Sequence, residues 1–170
     1  MLKRIAITGP ESTGKSSLCK QLAEHYNEPW VPEVARTFID NLNRPYTADD
    51  ILEIAKLQVK QEDLKAQKAR QFLFCDTELI VTKIWSEHKY QKCNPWILDQ
   101  IAKPSYFLYL LCDIGLPWEP DPQREHPHLR EHFFNLYAKE LEDRKLNYKI
   151  VSGIGHERLE NAIKFINESL

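Results

Sequence analysis

The chain has 170 residues, of which 42% are hydrophobic and 28% charged, and its formal net charge is −2 at pH 7. This length is enough for one domain with its own core, so we predict a single domain over residues 1–170. The slightly acidic balance argues against a nucleic-acid-binding surface, and no apolar run approaches the roughly 20 residues that a membrane span needs.

Five short apolar runs rich in β-branched and aromatic residues predict strands. In chain order they read RIAIT from Arg4, WV at Trp30, FLFCDTE from Phe72, YFLYLLCD from Tyr106 and YKIVSG from Tyr148. Continuous apolar strands that alternate with helices are typical of a parallel sheet covered on both faces. We therefore predict a three-layer α/β fold with a five-stranded parallel sheet.

Helical patterns separate these runs. The first follows the loop after RIAIT, and a second begins at Thr47, which forms a capping box with Asp50, and continues to about Arg70. Further helices are predicted over 77–88, 96–102, 129–146 and 157–170. The stretch GLPWEPDPQREHP from Gly115 is too rich in proline for regular structure, so we expect a mobile lid loop over about 115–130.

The most specific motif is GPESTGKSSL, which runs from Gly9 to Leu18 directly after the first predicted strand. It matches G-x-x-x-x-G-K-[ST], in which backbone amides and a lysine surround nucleotide phosphates. The order strand, glycine loop, helix is the context that this motif requires. We expect it to bind ATP through Gly9, Glu11, Ser12, Thr13, Gly14, Lys15, Ser16 and Ser17.

Acidic residues follow two other strands, and the carboxyl ends of parallel strands meet at one edge of the sheet. We expect Mg²⁺ to be held by the Ser16 hydroxyl and by Asp76, with Glu78 a second acidic candidate. Asp76 has an alternative interpretation, as the N-cap of the helix predicted from Thr77. The general base is predicted to be Glu33 or Asp76.

The remaining candidates follow the second predicted strand, lie in the lid, or follow the last predicted strand. Lys15 and Arg124 are predicted to stabilise the transferred phosphoryl group, and Arg36 to bind substrate oxygens, unless it forms an ion pair with Glu33 on one helix face. We expect Trp118 and Asp121 to contact the acceptor.

Two further predictions concern the segment after the last predicted strand and the histidines of the lid. Gly153 in SGIGH is predicted to lie at the edge of the adenine, because a glycine permits close approach of the backbone. His126 and His128 are interpreted as surface residues, since no partner stands at a metal-ligand spacing.

Taken in order, GPESTGKSSL, PEVARTF, FCDTELIVTKIW and PWEPDPQR resemble the ribosylnicotinamide kinase domain of NadR-type proteins, within the P-loop nucleoside and nucleotide kinase group. The resemblance implies ATP and Mg²⁺ as cofactors and the 5′-hydroxyl of nicotinamide riboside as acceptor. Two positions depart from the family pattern: Pro122 stands where glycine is frequent, and Glu78 where some members have aspartate.

We therefore predict a small-molecule kinase, most simply one that phosphorylates nicotinamide riboside. Another nucleoside or a nucleoside monophosphate is the alternative acceptor, and a regulatory ATP-binding ATPase without an acceptor is the alternative class. The first strand begins within four residues of Met1, which leaves no space for a secretory leader, so we expect a cytoplasmic protein without a membrane or nucleic-acid partner. The oligomeric state is left open, homo-oligomers included.

Overall fold

The computed structural model describes residues 1–170 and contains five strands and seven helices. The strands are β1 (Lys3–Thr8), β2 (Trp30–Val31), β3 (Phe72–Asp76), β4 (Leu108–Cys112) and β5 (Tyr148–Val151). The helices are α1 (Lys15–Tyr26), α2 (Val34–Asp40), α3 (Ala48–Ala66), α4 (Leu79–Tyr90), α5 (Pro95–Ile101), α6 (Arg130–Asp143) and α7 (His156–Ser169).

The five strands form one sheet in the order β2-β3-β1-β4-β5, and every neighbouring pair is parallel. β1 lies in the middle, where Ile5 pairs with Phe74 on one side and with Leu108 on the other. The predicted five-stranded parallel sheet of an α/β fold is confirmed. Because all strands run the same way, the loops after β1, β2, β3, β4 and β5 lie at one edge.

Alternate residues of β1 divide the core into two layers. Ile5 and Ile7 pack with Leu18 and Leu22 of α1 and with Ile166 of α7. A second cluster covers the opposite face of the sheet and contains Ala6, Ile80, Ile84, Tyr109, Leu111, Phe133, Tyr137 and Leu141. Burying one such aliphatic or aromatic side chain stabilises the fold by roughly 1.5–3 kcal/mol, so both faces anchor the strands.

The helix boundaries differ from the sequence predictions in two informative places. The capping box at Thr47 and Asp50 is confirmed, but α3 ends at Ala66 rather than near Arg70. α4 begins at Leu79 and not at Thr77, because Thr77 has a left-handed φ of 74° and Glu78 provides the cap. Neither change alters the order of elements.

The proline-rich lid segment (residues 115–130) contains no helix or strand before Arg130, as predicted. It connects β4 to α6 at the carboxyl edge of the sheet. None of the seven helices has the length and apolar character needed to cross a bilayer.

Candidate active site

The glycine loop turns sharply between the two central strands. Gly9 follows β1 with a φ of +133°, and a Cβ at this position would lie 3.0 Å from the carbonyl oxygen of Cys112 at the end of β4. Only glycine combines this backbone conformation with so close an approach. Gly14 closes the loop with a φ of +74° and precedes α1 without a side-chain cap, so the first amides of α1 remain available to an anion.

Inside the loop, two side chains share one carbonyl oxygen. The Lys15 ammonium donates to the carbonyl oxygen of Pro10 at 2.8 Å, and the Thr13 hydroxyl donates to the same oxygen at 2.7 Å. The positive charge of Lys15 is thus held over the concave side of the loop, where a phosphate would replace a neutral carbonyl as its partner.

Ser16 and Asp76 form the pair that suits a magnesium ion. The Ser16 hydroxyl donates to Asp76 Oδ2 at 2.5 Å, whereas Asp76 Oδ1 is buried and has no hydrogen-bond partner. Burial raises the pKa of Asp76 to about 6, and the charge of Glu33 raises it further, against the effects of Ser16 and Lys15. A serine hydroxyl beside an unpartnered carboxylate oxygen fits the oxygen ligands that Mg²⁺ takes next to phosphates.

The two residues that follow Asp76 have different tasks. Thr77 lies in the left-handed region, and its hydroxyl is buried without a partner, a strained arrangement for a β-branched residue that is concentrated at functional sites. Glu78 accepts hydrogen bonds from the Ile80 N–H at 2.6 Å and from the Thr8 hydroxyl at 2.9 Å. The alternative interpretation of Asp76 as a helix cap is therefore wrong, since Glu78 caps α4.

Glu78 also lies outside the lining of the site. It is buried and does not line the cavity described below. Burial raises its pKa to about 7, although the Ile80 and Thr8 hydrogen bonds favour the charged form. Its two oxygens serve the packing of α4 on β1, so the structure gives no support to Glu78 as a second metal-site acid.

The lid segment is fastened to the glycine loop by polar contacts. The N–H groups of Glu125 and His126 donate to the Glu11 carboxylate at 3.2 and 3.3 Å, and the Glu119 N–H donates to the Ser12 hydroxyl at 2.8 Å. Burial raises the pKa of Glu11. These contacts place the lid directly over the residues that the motif assigns to phosphates.

A second set of contacts joins the lid to α2. Arg36 forms an ion pair with Asp121 at 2.9 Å, and the Gln123 side chain donates to the Arg36 carbonyl oxygen at 3.2 Å. The pKa of Asp121 is lowered by the Gln123 N–H first and by Arg36 second. The alternative ion pair between Glu33 and Arg36 does not form, because Arg36 reaches the lid instead.

One cavity of about 690 Å³ opens between the glycine loop, α2, α4 and the lid. Among the predicted site residues it is lined by Gly9, Glu11, Ser12, Thr13, Gly14, Lys15, Ser16, Ser17, Glu33, Arg36 and Arg124. Asp76 lies just behind this lining and meets it through Ser16. The structure therefore brings most of the predicted residues to one space.

Three predicted contact residues lie outside the lining. The Trp118 ring is covered by the Arg130 guanidinium, 5.7 Å from the ring centroid, and Asp121 is occupied by Arg36. Gly153 packs against the first turn of α7, where a Cβ on Gly153 would lie 3.2 Å from the backbone nitrogen of Arg158. Gly155 lines the cavity in its place. The contacts that the sequence predicted for these three residues are therefore not seen in this conformation of the lid and of the loop after β5.

The sequence interpretation missed an aromatic wall, which consists of Tyr46, Trp85, His88, His126, Phe133 and Tyr137 and lines the cavity. Trp85 Nε1 donates to the Tyr46 hydroxyl at 2.9 Å, and the Lys89 ammonium lies 3.8 Å from the Tyr46 ring centroid. The rings of His88 and His126 are 4.7 Å apart. His126 is thus half-buried in the site rather than a surface residue.

The wall had a partial signal in the sequence. Val81, Ile84, Trp85 and His88 recur at helical spacing on α4 and all line the cavity. That spacing equally describes a core-facing stripe, so it does not by itself indicate a cavity. A second missed residue is Arg158 on α7, whose side chain reaches the glycine loop; no motif includes it. The structure offers no cluster of three or more histidine, cysteine or acidic residues arranged to hold a metal.

A five-stranded parallel sheet whose central strand is followed by a loop with the P-loop motif defines an α/β protein with the P-loop kinase fold. The family model described as an AAA domain (AAA_28) matches residues 4–158, and the chain belongs to this family. Among curated proteins, it is 25% identical over 155 residues to the trifunctional NAD biosynthesis/regulator protein NadR of Escherichia coli (strain K12), and 23% identical over 178 residues to that of Salmonella typhimurium.

These alignments cover 86% and 99% of the chain but 37% and 43% of the two relatives, so the chain spans less than half of their length. A NadR crystal structure in complex with NR superposes with a TM-score of 0.85 at 22% identity, covering 99% of this chain and 49% of that one.

Two kinase structures share the fold over nearly the whole length of their chains. A thymidylate kinase from Ehrlichia chaffeensis gives a TM-score of 0.65 at 10% identity, with 99% of this chain and 98% of that chain covered. A deoxyadenosine kinase from M. mycoides gives 0.68 at 13% identity, with 97% and 99% covered. At such identities, the likeness concerns the fold.

Proposed function

We propose that the chain is an ATP-dependent kinase that transfers the γ-phosphoryl group of ATP to the 5′-hydroxyl of nicotinamide riboside, with nicotinamide mononucleotide as product. The observation that carries the proposal is that the glycine loop, the Glu33 carboxylate and the aromatic wall line one cavity of about 690 Å³. A nucleotide donor and a small aromatic acceptor would thus share one enclosed space, as phosphoryl transfer requires.

The donor side follows from the glycine loop. Lys15 and the free amides at the start of α1 would bind the phosphates, and Ser16 with Asp76 would hold Mg²⁺, directly or through water. The ion would neutralise the charge that develops on the phosphates. Arg124, which lines the cavity and donates to the Glu119 carbonyl oxygen within the lid, would add a second positive charge.

The acceptor side follows from the aromatic wall and one carboxylate. Aromatic faces attract cations, and the nicotinamide ring of the riboside carries a positive charge. Trp85, Tyr46 and Phe133 supply such faces, while Glu33 adds negative charge to the same cavity. The comparisons support this acceptor, because a NadR protein was crystallised with NR and the name of the curated NadR relatives refers to NAD biosynthesis.

Glu33 is the better candidate for the general base. One Asp76 oxygen already accepts from Ser16, which ties that carboxylate to the metal side, whereas Glu33 lines the cavity at the start of α2. Glu33 would accept the proton of the 5′-hydroxyl while the oxygen forms its bond to the γ-phosphorus. The bond from the γ-phosphorus to the β-bridging oxygen breaks, and ADP leaves with that electron pair.

The test is a coupled ADP-release assay with Mg²⁺-ATP and a panel of nicotinamide riboside, adenosine, deoxyadenosine, thymidine and thymidine monophosphate. We expect turnover to be highest with nicotinamide riboside. Turnover only with another member of the panel would replace the acceptor, and turnover independent of any acceptor would favour the regulatory ATPase.

Two variants separate donor binding from proton transfer. Lys15→Met should weaken ATP binding, whereas Glu33→Gln should lower kcat by about 10²–10⁴-fold and leave ADP affinity unchanged. Lys20→Met is the matched control, since Lys20 is an exposed residue of α1 whose ammonium lies 3.9 Å from Glu24. An unchanged kcat for Glu33→Gln would exclude Glu33 as the base.

A further inference from the structure

Arg158 is a buried cation without a partner. It lies in the first turn of α7, its relative exposure is 4%, and none of its three guanidinium nitrogens has a hydrogen-bond acceptor. Arginine is almost never buried in this way unless it is paired, because a desolvated and uncompensated charge is strongly unfavourable. A buried guanidinium with free N–H groups therefore calls for an anion that binds there.

The guanidinium lies against the glycine loop. A Cβ placed on Gly14, the residue that precedes α1, would be 3.4 Å from Arg158 Nη1 and 3.8 Å from its Cζ. Arg158 also lines the cavity that contains Lys15 and Ser16. The free amides of α1 and the guanidinium thus converge from two elements, α1 and α7, that are far apart in the sequence.

No neighbouring group pairs a negative charge with the Arg158 guanidinium. The Cys112 thiol at the end of β4 is one neighbour, and burial raises the pKa of this thiol against the lowering effect of Arg158, so the thiol supplies no negative charge. Glu157 is directed to Gly153, where its Oε2 would lie 3.2 Å from a Cβ. No ion pair to Arg158 forms.

We propose that Arg158 is a phosphate-binding residue that contacts the phosphates of the bound nucleotide beside Gly14, in the cavity that Lys15 also lines. The planar guanidinium suits two oxygens of one phosphate, which a lysine cannot bind in the same bidentate manner. The inference rests on the proposed function only in requiring that nucleotide phosphates occupy the glycine loop. Because the loop holds these phosphates before and after transfer, Arg158 contributes to ADP binding as well as to ATP binding.

Isothermal titration with ADP and with adenosine tests this assignment. Arg158→Met should weaken ADP binding by about 10–100-fold, the range for a lost hydrogen bond to a charged group, and should leave adenosine binding unchanged. Arg158→Lys keeps the charge but not the fork, so an intermediate affinity is expected. Lys164→Met is the matched control, because it removes one positive charge from the same helix at a side chain that is 69% exposed.

Thermal unfolding without ligand distinguishes ligand binding from a purely structural role. Removing an unpaired buried charge should raise the Tm of the ligand-free Arg158→Met protein and reduce the Tm increase that ADP produces. A lower ligand-free Tm together with an unchanged ADP affinity would overturn the proposal and assign Arg158 to the fold.

The outcomes also separate this inference from the proposed function. Loss of ADP affinity in Arg158→Met, in a protein that phosphorylates no acceptor, would support Arg158 and refute the kinase. Full ADP affinity in that variant of an active kinase would refute Arg158 alone. If the unaltered chain bound neither ADP nor ATP, both would be wrong.

Discussion

The buried carboxylate of Glu78 should make the stability of the ligand-free protein fall as the pH rises. Burial raises the pKa of this group from 4.5 to about 7 in the folded chain. The folded state then binds a proton more tightly than the unfolded state, so the free energy of unfolding decreases between about pH 4.5 and pH 7 and is level above that range. This rise in pKa corresponds to a loss of about 3 kcal/mol in the free energy of unfolding, of which about 2–3 kcal/mol occurs between pH 5 and pH 8.

The assay is urea unfolding without nucleotide at pH 5 and pH 8, for the unaltered chain and for Glu78→Gln. Glutamine keeps a carbonyl oxygen for the Ile80 N–H, which now bonds to Glu78 at 2.6 Å, but it does not titrate. The unaltered chain should lose about 2–3 kcal/mol more than the variant between the two pH values.

Asp76, whose pKa is raised to about 6, titrates in both proteins and cancels from the comparison. An equal pH dependence in the two proteins would refute the reasoning, since it would mean that Glu78 is ionised in the folded state at pH 5.

Three further predictions concern the fold and the lid. Gly9→Ala should destabilise the chain by more than about 3 kcal/mol, because a Cβ at this position adds a clash at 3.0 Å to the backbone strain. Gly155→Ala should cost only the strain, about 1–3 kcal/mol, because no atom lies within 4 Å of its Cβ. Equal losses of unfolding free energy for the two variants in urea would contradict this prediction. Leu110→Ala should cost about 2–5 kcal/mol, since Leu110 is fully buried in the central sheet, and a smaller loss would show that the core closes over the cavity. Arg36→Met should change the free energy of unfolding by less than about 1 kcal/mol, because its ion pair with Asp121 is partly exposed, but should speed limited proteolysis within residues 115–130; unchanged cleavage would show that the pair does not hold the lid.

Local sequence determined the parts of this protein whose geometry is set by neighbouring residues. The glycine loop is contiguous, and the positive φ of Gly14 and the close approach at Gly9 are what its pattern demands. The five strands follow from short apolar runs, and the Thr47 capping box acts over three residues. Together these features predicted the α/β fold and the glycine-loop end of the cavity.

Only the tertiary structure decided which distant side chains meet. Whether Arg36 bonds to Glu33 or to Asp121 depends on how the lid lies over α2, and whether Glu78 or Asp76 caps α4 depends on the turn at Thr77. The helical stripe containing Trp85 has the same spacing whether it faces a core or a cavity. Arg158 belongs to no motif, and the role proposed for it depends on its being buried beside Gly14, 144 positions earlier in the chain. Contacts of this kind arise from the packing of whole elements, and residue spacing carries no information about them.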